Sequence, residues 1–337
     1  MIAREDLRAM QRLAQESWRR QPTHVDVTVG ELAYAWGVQN ADYSAEWQHR
    51  VWADAERCLA WAWLFLPGTL EWQVHPDHPD ALDDVLDWFE AETEGVRRKT
   101  TVRAANRDAI DRLERRGFVR NEGAPWMRLN QRDLAEIEDP RLPDGFRLRT
   151  MRELNHDVAA RVRVHQASWR EFGTRVTDVT YPRVMGTWPY RDDLDLVVQG
   201  PGGRLAAFAL VWYDDANRVG ELEPVGTDPR FRRQGLGRAV NLFGLHDYAM
   251  SGPRMRSWVA AAMTGTRRRG TCTSPSGSAR SPGSTVTRRV SEPGAAHTPV
   301  TSCGCHVRTA LEPHGEVHRV AVRVKATYAI RSPHGMS

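Results

Sequence analysis

Residues Val219–Val240 read VGELEPVGTDPRFRRQGLGRAV, and this stretch decides how the rest of the chain is read. A short apolar strand reaches Val225, a turn follows, and Gly235 and Gly237 open an amphipathic segment. There Ala239, Val240, Phe243 and Asp247 recur at helical spacing. A strand, a glycine-rich turn and a helix N-terminus in this order suit a phosphate. Glycines admit close backbone approach, free N–H groups point outward, and the helix dipole favours an anion. Glu221 and Glu223 stand two residues apart on the strand and share a face. Pro224 cannot donate to a sheet ladder, so it favours a bulge there.

Upstream of this stretch, the sequence divides into alternating elements. Leu7, Met10, Leu13, Ala14 and Trp18 fall at helical spacing within residues 3–20. The alternation of Val25, Val27 and Val29 predicts a strand over 24–36, and residues 40–55 read as a helix. Strands are expected at 58–66, 70–74 and 100–103, and helices at 80–92 and 107–116, the last stopping at Gly117. Phe118 and residues 126–129 would supply closing strands, and the polar segment 130–144, with Pro140 and Pro143, reads as a linker.

A second series begins with a strand over 145–151 and a helix over 157–169 carrying Val158, Val162, His165 and Trp169 inward. Residues 180–190 read as an aromatic, proline-containing loop on the substrate side. Strands at 194–199 and 205–213 follow, with turns at 200–203 and 214–217 leading into the opening stretch.

The charge is uneven. Residues 251–337 hold 13 Lys and Arg against 3 Asp and Glu, which leaves 34 against 40 for residues 1–250. The basic balance therefore belongs to the C-terminal segment and gives no argument for nucleic acid. No apolar run is long enough to span a membrane, and charges fill the N-terminus where a signal peptide needs an apolar core. A cytoplasmic protein is expected. Of the four cysteines only Cys58 precedes residue 250, so no disulfide framework arises.

The pattern Arg232-x-x-Gly235-x-Gly237, after a strand ending Val-Gly-Thr-Asp-Pro, resembles the acyl-CoA pyrophosphate loop of the GCN5-related N-acetyltransferases (GNAT). The resemblance implies an α/β (α+β) chain of two tandem acetyltransferase-fold domains, each with a mixed central sheet. It places a degenerate copy at 1–130, a linker at 131–144 and the functional copy at 145–255, with a low-complexity segment over 256–337.

It also implies acetyl-CoA as co-substrate, no metal, and a small-molecule amine as acceptor, for a monomer or homodimer without nucleic-acid or membrane partners. Arg232, Arg233, Gln234, Gly235, Leu236, Gly237 and Arg238 would hold the pyrophosphate, and the backbone of Val225, Gly226 and Thr227 would pair with pantetheine. Glu221 or Glu223 would accept the ammonium proton. An N–H near the bulged Val225 would meet the thioester oxygen. The tandem layout is similar to that of actinobacterial small-molecule acetyltransferases.

In the first copy the corresponding loop reads His75-Pro76-Asp77-His78-Pro79-Asp80, with no glycine and with the wrong charge for a pyrophosphate. That copy is expected to be structural. Its tryptophans (Trp52, Trp61, Trp63, Trp72, Trp88) fit either a ligand cage or an aromatic core, and the core is favoured. His75 and His78 lack a third metal ligand.

After residue 250 the sequence departs from the family. The strand, helix and closing strands the fold still requires, and a tyrosine beside the CoA sulfur, are not evident. Read one frame over, the codons for Thr273–Ser278 permit Tyr-Glu-Ser-Val-Gly-Phe, which resembles a family segment. The segment is therefore expected to be an out-of-frame translation. On that reading Cys303, Cys305 and His306 form no zinc site, and Arg267–Arg269 no nucleic-acid patch. As written, without that strand and tyrosine, the chain has a second reading: an inactive acyl-CoA-binding or dimerising protein.

Overall fold

The computed structural model describes residues 2–22, 26–40, 42, 44–54, 57–121, 127–132, 134, 137–251, 257–263 and 284–287. The readings at Val25, Trp126, the Cys303–His306 cluster, Arg267–Arg269 and the shifted-frame segment lie outside them. The described residues form two compact units. One holds those within 1–32, 40–128 and 262–293, and the other those within 33–39 and 129–261.

In the first unit, α1 (Arg4–Arg20) turns Leu7, Met10, Leu13, Ala14 and Trp18 inward, as its spacing predicts. Its sheet runs β1 (Trp47–Ala53), β2 (Cys58–Phe65), β3 (Thr69–Val74), β4 (Lys99–Thr101), β12 (Ser284–Thr287), β5 (Phe118–Arg120). Helices α3 (Ala81–Glu92) and α4 (Arg107–Arg115) supply Leu82, Val85, Leu86, Phe89, Ala109 and Leu113 to a core with Ala60, Ala62, Leu64 and Trp72. Asn106 caps α4 through the Ala109 N–H at 3.2 Å, and Gly117, at φ +80°, releases the chain from the helix end. Trp47, Trp61 and Trp63 form a ring-contact series at 5.7 and 5.2 Å. His75 is buried in its turn, its Nδ1 accepting the Asp77 N–H at 3.1 Å.

Two expectations fail here. The alternation over 24–36 gives way to helix α2 (Val29–Gln39). Thr28 Oγ1 accepts the Glu31 N–H at 3.0 Å, the Thr-x-x-Glu start signal that outweighs three alternating valines. The segment 40–55, expected to be helical, is instead β1, antiparallel to β2 with Val51 opposite Trp61. The edge of an aromatic strand needed a partner, and sheet pairing overrode local helical preference. A third element is reassigned: β6 (Met127–Arg132) forms as a strand but joins the other sheet.

The second sheet runs β6, β11 (Ser257–Met263), β10 (Val219–Thr227), β9 (Leu205–Asp214), β8 (Asp195–Gln199), β7 (Arg147–Thr150). All ten residues of β9 are buried, so it is the central strand. Helix α7 (Leu236–Ser251) covers one face. A Cβ on its Gly244 would sit 2.8 Å from Leu196 Cδ1, with Val211 and Leu222 next to it.

The other face carries α5 (Val158–Trp169), α6 (Thr180–Met185) and the second half of α2. Val162, Tyr181, Val184, Ala33 and Val38 pack there with Leu210 and Trp212. The 180–190 segment, read as a loop, thus begins with a helix.

The strand expected to be missing after α7 is present. β11 runs parallel to β10, with Val219, Gly220 and Glu221 opposite Ser257, Trp258 and Val259. The apolar run Trp258–Met263 has the composition of a buried strand, although it stands inside a stretch that composition marks as low-complexity. This unit therefore differs from the expected 145–255 domain in taking up residues 33–39 and 129–132 and in continuing past 255.

Candidate active site

The opening stretch folds as its sequence predicts. β10 spans Val219–Thr227, and its register with β9 slips between Leu222 and Val225, so Glu223 and Pro224 bulge opposite Leu210. Asp228 is buried and braces the exit. It accepts the backbone N–H of Arg230 at 3.0 Å and its guanidinium at 3.1 Å, while its own N–H reaches Ala206 O at 2.9 Å. The Arg230 hydrogen bond holds the Asp228 carboxyl below its usual range. Gln234 and Gly235 are exposed, Leu236 is buried, and α7 starts there. Arg233 and Gly235 both take left-handed φ values, 66° and 79°, which turn the backbone sharply before the helix. The first N–H groups of α7 have no acceptor within their own helix.

The arginines of this loop differ in setting. Arg232 turns back, its guanidinium 3.4 Å from both Thr227 O and Ser168 O and 3.8 Å from Glu171. Arg238 pairs with Glu138, and Arg233 is exposed. Val225, Gly226 and Thr227 are half-buried. Gly226 is required sterically, since a Cβ there would lie 2.5 Å from Phe208 Cε1 and 2.8 Å from Ser168 Cβ.

Glu221 and Glu223 are both buried, 3% and 5% exposed. Glu221 lies opposite Trp212, whose indole N–H donates to Glu223 O at 2.7 Å.

A polar cluster that the sequence reading missed lies under α5 and α6 on the Trp212 face. Arg161 is fully buried, and its Nε–H donates to Asp195 Oδ1 at 2.8 Å. Tyr181 and Tyr190 hydroxyls donate to Asp195 Oδ2, the second at 3.2 Å. The Arg161 guanidinium stacks over the Phe208 and Tyr181 rings at 4.0 and 4.8 Å. Tyr34, half-buried, completes the cluster. Burial pushes its phenol up, with Glu223 and Asp195 adding to this and Arg161 opposing it.

His165 stacks on Trp169 and Phe208, and burial, reinforced by Arg161, holds its imidazole well below the ordinary range. The sequence held one signal for this cluster: Arg161 falls four residues before His165 on the inward face of α5.

Residues 161–251 match the sequence model of the acetyltransferase (GNAT) family. The chain carries a GNAT domain. The match runs from within α5 through the bulged β10 and the loop to the end of α7. A GCN5-related N-acetyltransferase from Sphaerobacter thermophilus shares the fold at 16% identity. The likeness covers 80% of this chain and 87% of that one at a TM-score of 0.50, and so extends well beyond the matched GNAT segment.

A tandem GNAT protein from the clavulanic acid biosynthesis pathway, solved without AcCoA, is similar over 80% of this chain and 90% of that one. Its identity is 15% and its TM-score 0.48. No curated protein sequence matches the chain. Among the described residues, no helix is long and apolar enough to cross a membrane.

Proposed function

We propose that the protein transfers the acetyl group of acetyl-CoA to the amine of a small molecule. The observation that carries this reading is the loop itself. An exposed, basic turn with left-handed Arg233 and Gly235 delivers the N-terminus of α7 directly after a bulged strand with two buried glutamates. Backbone N–H groups at Gly235–Arg238 and the charges of Arg233 and Arg238 suit a pyrophosphate. Val225, Gly226 and Thr227, next to the slipped register, offer backbone groups to a pantetheine arm.

In this reading Glu221 or Glu223 takes the proton from the acceptor ammonium. The free amine attacks the thioester carbonyl, the C–N bond forms, the C–S bond breaks, and the leaving CoA thiolate takes up the proton that the new amide nitrogen loses. An N–H near Val225 would meet the oxygen on which charge develops. β11, parallel to β10, supports this reading by supplying the second strand; the inactive-binder alternative rested on a missing strand and a missing tyrosine, and its tyrosine half stands.

Calorimetric titration with acetyl-CoA, followed by a thiol-release assay over a panel of amines, tests the proposal. Micromolar binding with amine-dependent CoA release is expected. Binding without release from any amine would instead favour an acyl-CoA-binding protein. The out-of-frame reading of the C-terminal segment is a separate proposal. Resequencing codons 240–300 tests it, and an unchanged frame would overturn it.

A further inference from the structure

The hydrogen-bond accounting around Arg161 leaves a gap. Both oxygens of Asp195 are engaged: Oδ1 takes the Arg161 Nε–H, and Oδ2 takes the hydroxyls of Tyr181 and Tyr190. The two phenols thus absorb acceptor capacity that the arginine fork would otherwise use. Nη1 and Nη2 of Arg161 are buried and have no hydrogen-bond partner among the described residues. A guanidinium offers five N–H donors in a planar fork, and here four of them face no acceptor. A fully buried fork in this state is built for a group that brings two oxygens in one plane.

The sheet register says where that group would sit. Asp195 pairs with Leu210, and the Glu223 bulge lies opposite the same Leu210 from the other side. The Asp195 and β10 rows are therefore two strand spacings apart, about 10 Å. Residues paired directly across strands share a face, so Asp195, Leu210, Trp212 and Glu221 all project beneath α5 and α6. Tyr34 packs on this same face, against the core that holds Tyr181, Leu210 and Trp212. Tyr34 and Tyr190 are only half-buried, so the cluster reaches the surface at those rings.

We propose that Arg161 binds a carboxylate of the acceptor, making the substrate an amine that also bears a carboxylate, of the amino-acid class. The inference rests on the acetyl-transfer reading above and adds the acceptor's chemistry to it. The carboxylate meets the fork, the ammonium lies toward Glu221 and Glu223, and the aromatic rings cover the carbon skeleton.

The test uses the full chain with acetyl-CoA and three matched sets of probes: the standard amino acids, their amides, and the corresponding decarboxylated amines. CoA release should favour at least one amino acid over its amide and its decarboxylated amine by about 100-fold or more in kcat/KM. R161K keeps the charge beside Asp195 but loses the fork. It should raise KM for that amino acid at least tenfold, leave KM for acetyl-CoA unchanged, and melt close to the parent.

Equal turnover of acids and amides would overturn the proposal while leaving acetyl transfer intact, as would an R161K variant with unaltered selectivity. Acetyl-CoA binding without turnover shifts the decision to calorimetry. There, binding of no carboxylate-bearing amine overturns it. Failure to bind acetyl-CoA removes the parent reading and this one together.

Discussion

Gly226→Ala tests whether α5 rests directly on β10 at the place assigned to pantetheine. The added Cβ would stand 2.5 and 2.7 Å from Phe208 Cε1 and Cζ and 2.8 Å from Ser168 Cβ. Ordinary contact begins near 3.4 Å, so the neighbours must yield by more than half an ångström. Neither is a flexible side-chain end. Phe208 is fully buried, stacked on His165 and covered by the Arg161 guanidinium at 4.0 Å, while Ser168 Cβ is anchored to the helix backbone. Overpacking of this kind costs about 1–3 kcal/mol, more than the ~0.8 kcal/mol a buried methyl contributes.

Gly226 has an ordinary φ, so the penalty is steric. Gly235→Ala is the control with the opposite cause: open space but φ +79°, worth about 1–2 kcal/mol of backbone strain. Urea unfolding followed by near-UV circular dichroism reads both. Gly226→Ala should shift the midpoint down without changing the slope, and Gly226→Ser should do the same. A Gly226→Ala protein as stable as the parent would refute the close packing of α5 on β10.

Four further outcomes are expected. One of Glu221→Gln and Glu223→Gln should lower kcat about 10²- to 10⁴-fold with little change in acetyl-CoA affinity, measured by steady-state CoA release. Arg238→Gln, which removes an exposed charge now paired with Glu138, should weaken acetyl-CoA about tenfold by calorimetry and lessen its salt dependence. Arg161→Met should destabilise the protein by about 3–5 kcal/mol, because it leaves Asp195 buried and uncompensated, and Arg161→Met with Asp195→Leu should recover part of the loss in urea unfolding. Asp192 is held down to about 2, chiefly by the Arg152 hydrogen bond with help from His156. A carboxyl lowered from its unfolded value near 3.9 stabilises the fold above that pH and loses the contribution as pH falls toward 2. Asp192→Asn should therefore flatten the stability profile between about pH 4 and pH 2.

The opening stretch was legible because every cue in it is local. Val219–Thr227 pairs as a strand, Pro224 lies in the register slip, and α7 begins one residue after Gly235. Helices with strong periodicity, α1 and α3, were equally plain. What escaped depended on partners distant in sequence.

β1 exists to pair with β2, and β11 lies in a stretch whose overall composition hides six apolar residues. Helix α2 was misread because a capping signal of four residues competed with a valine alternation of five. The loop half of the candidate site could be named from sequence, since its residues are contiguous. The Arg161 half could not. Asp195 is 34 positions from Arg161, and Tyr34 is 127 from it, so nothing but the folded sheet brings them to one place.

Helix α2 has a consequence for how such a protein can arise and be altered. Its first residues belong to one unit and Ala33–Gln39 to the other, where Ala33 and Val38 sit in the core with Val184 and Trp212, and Gly37 touches Val184. A gene fragment starting at residue 145 would carry every recognisable motif and still lack a piece of its own interior. The second unit is therefore no free-standing module: the N-terminal stretch cannot be exchanged or lost without opening a hole in its core.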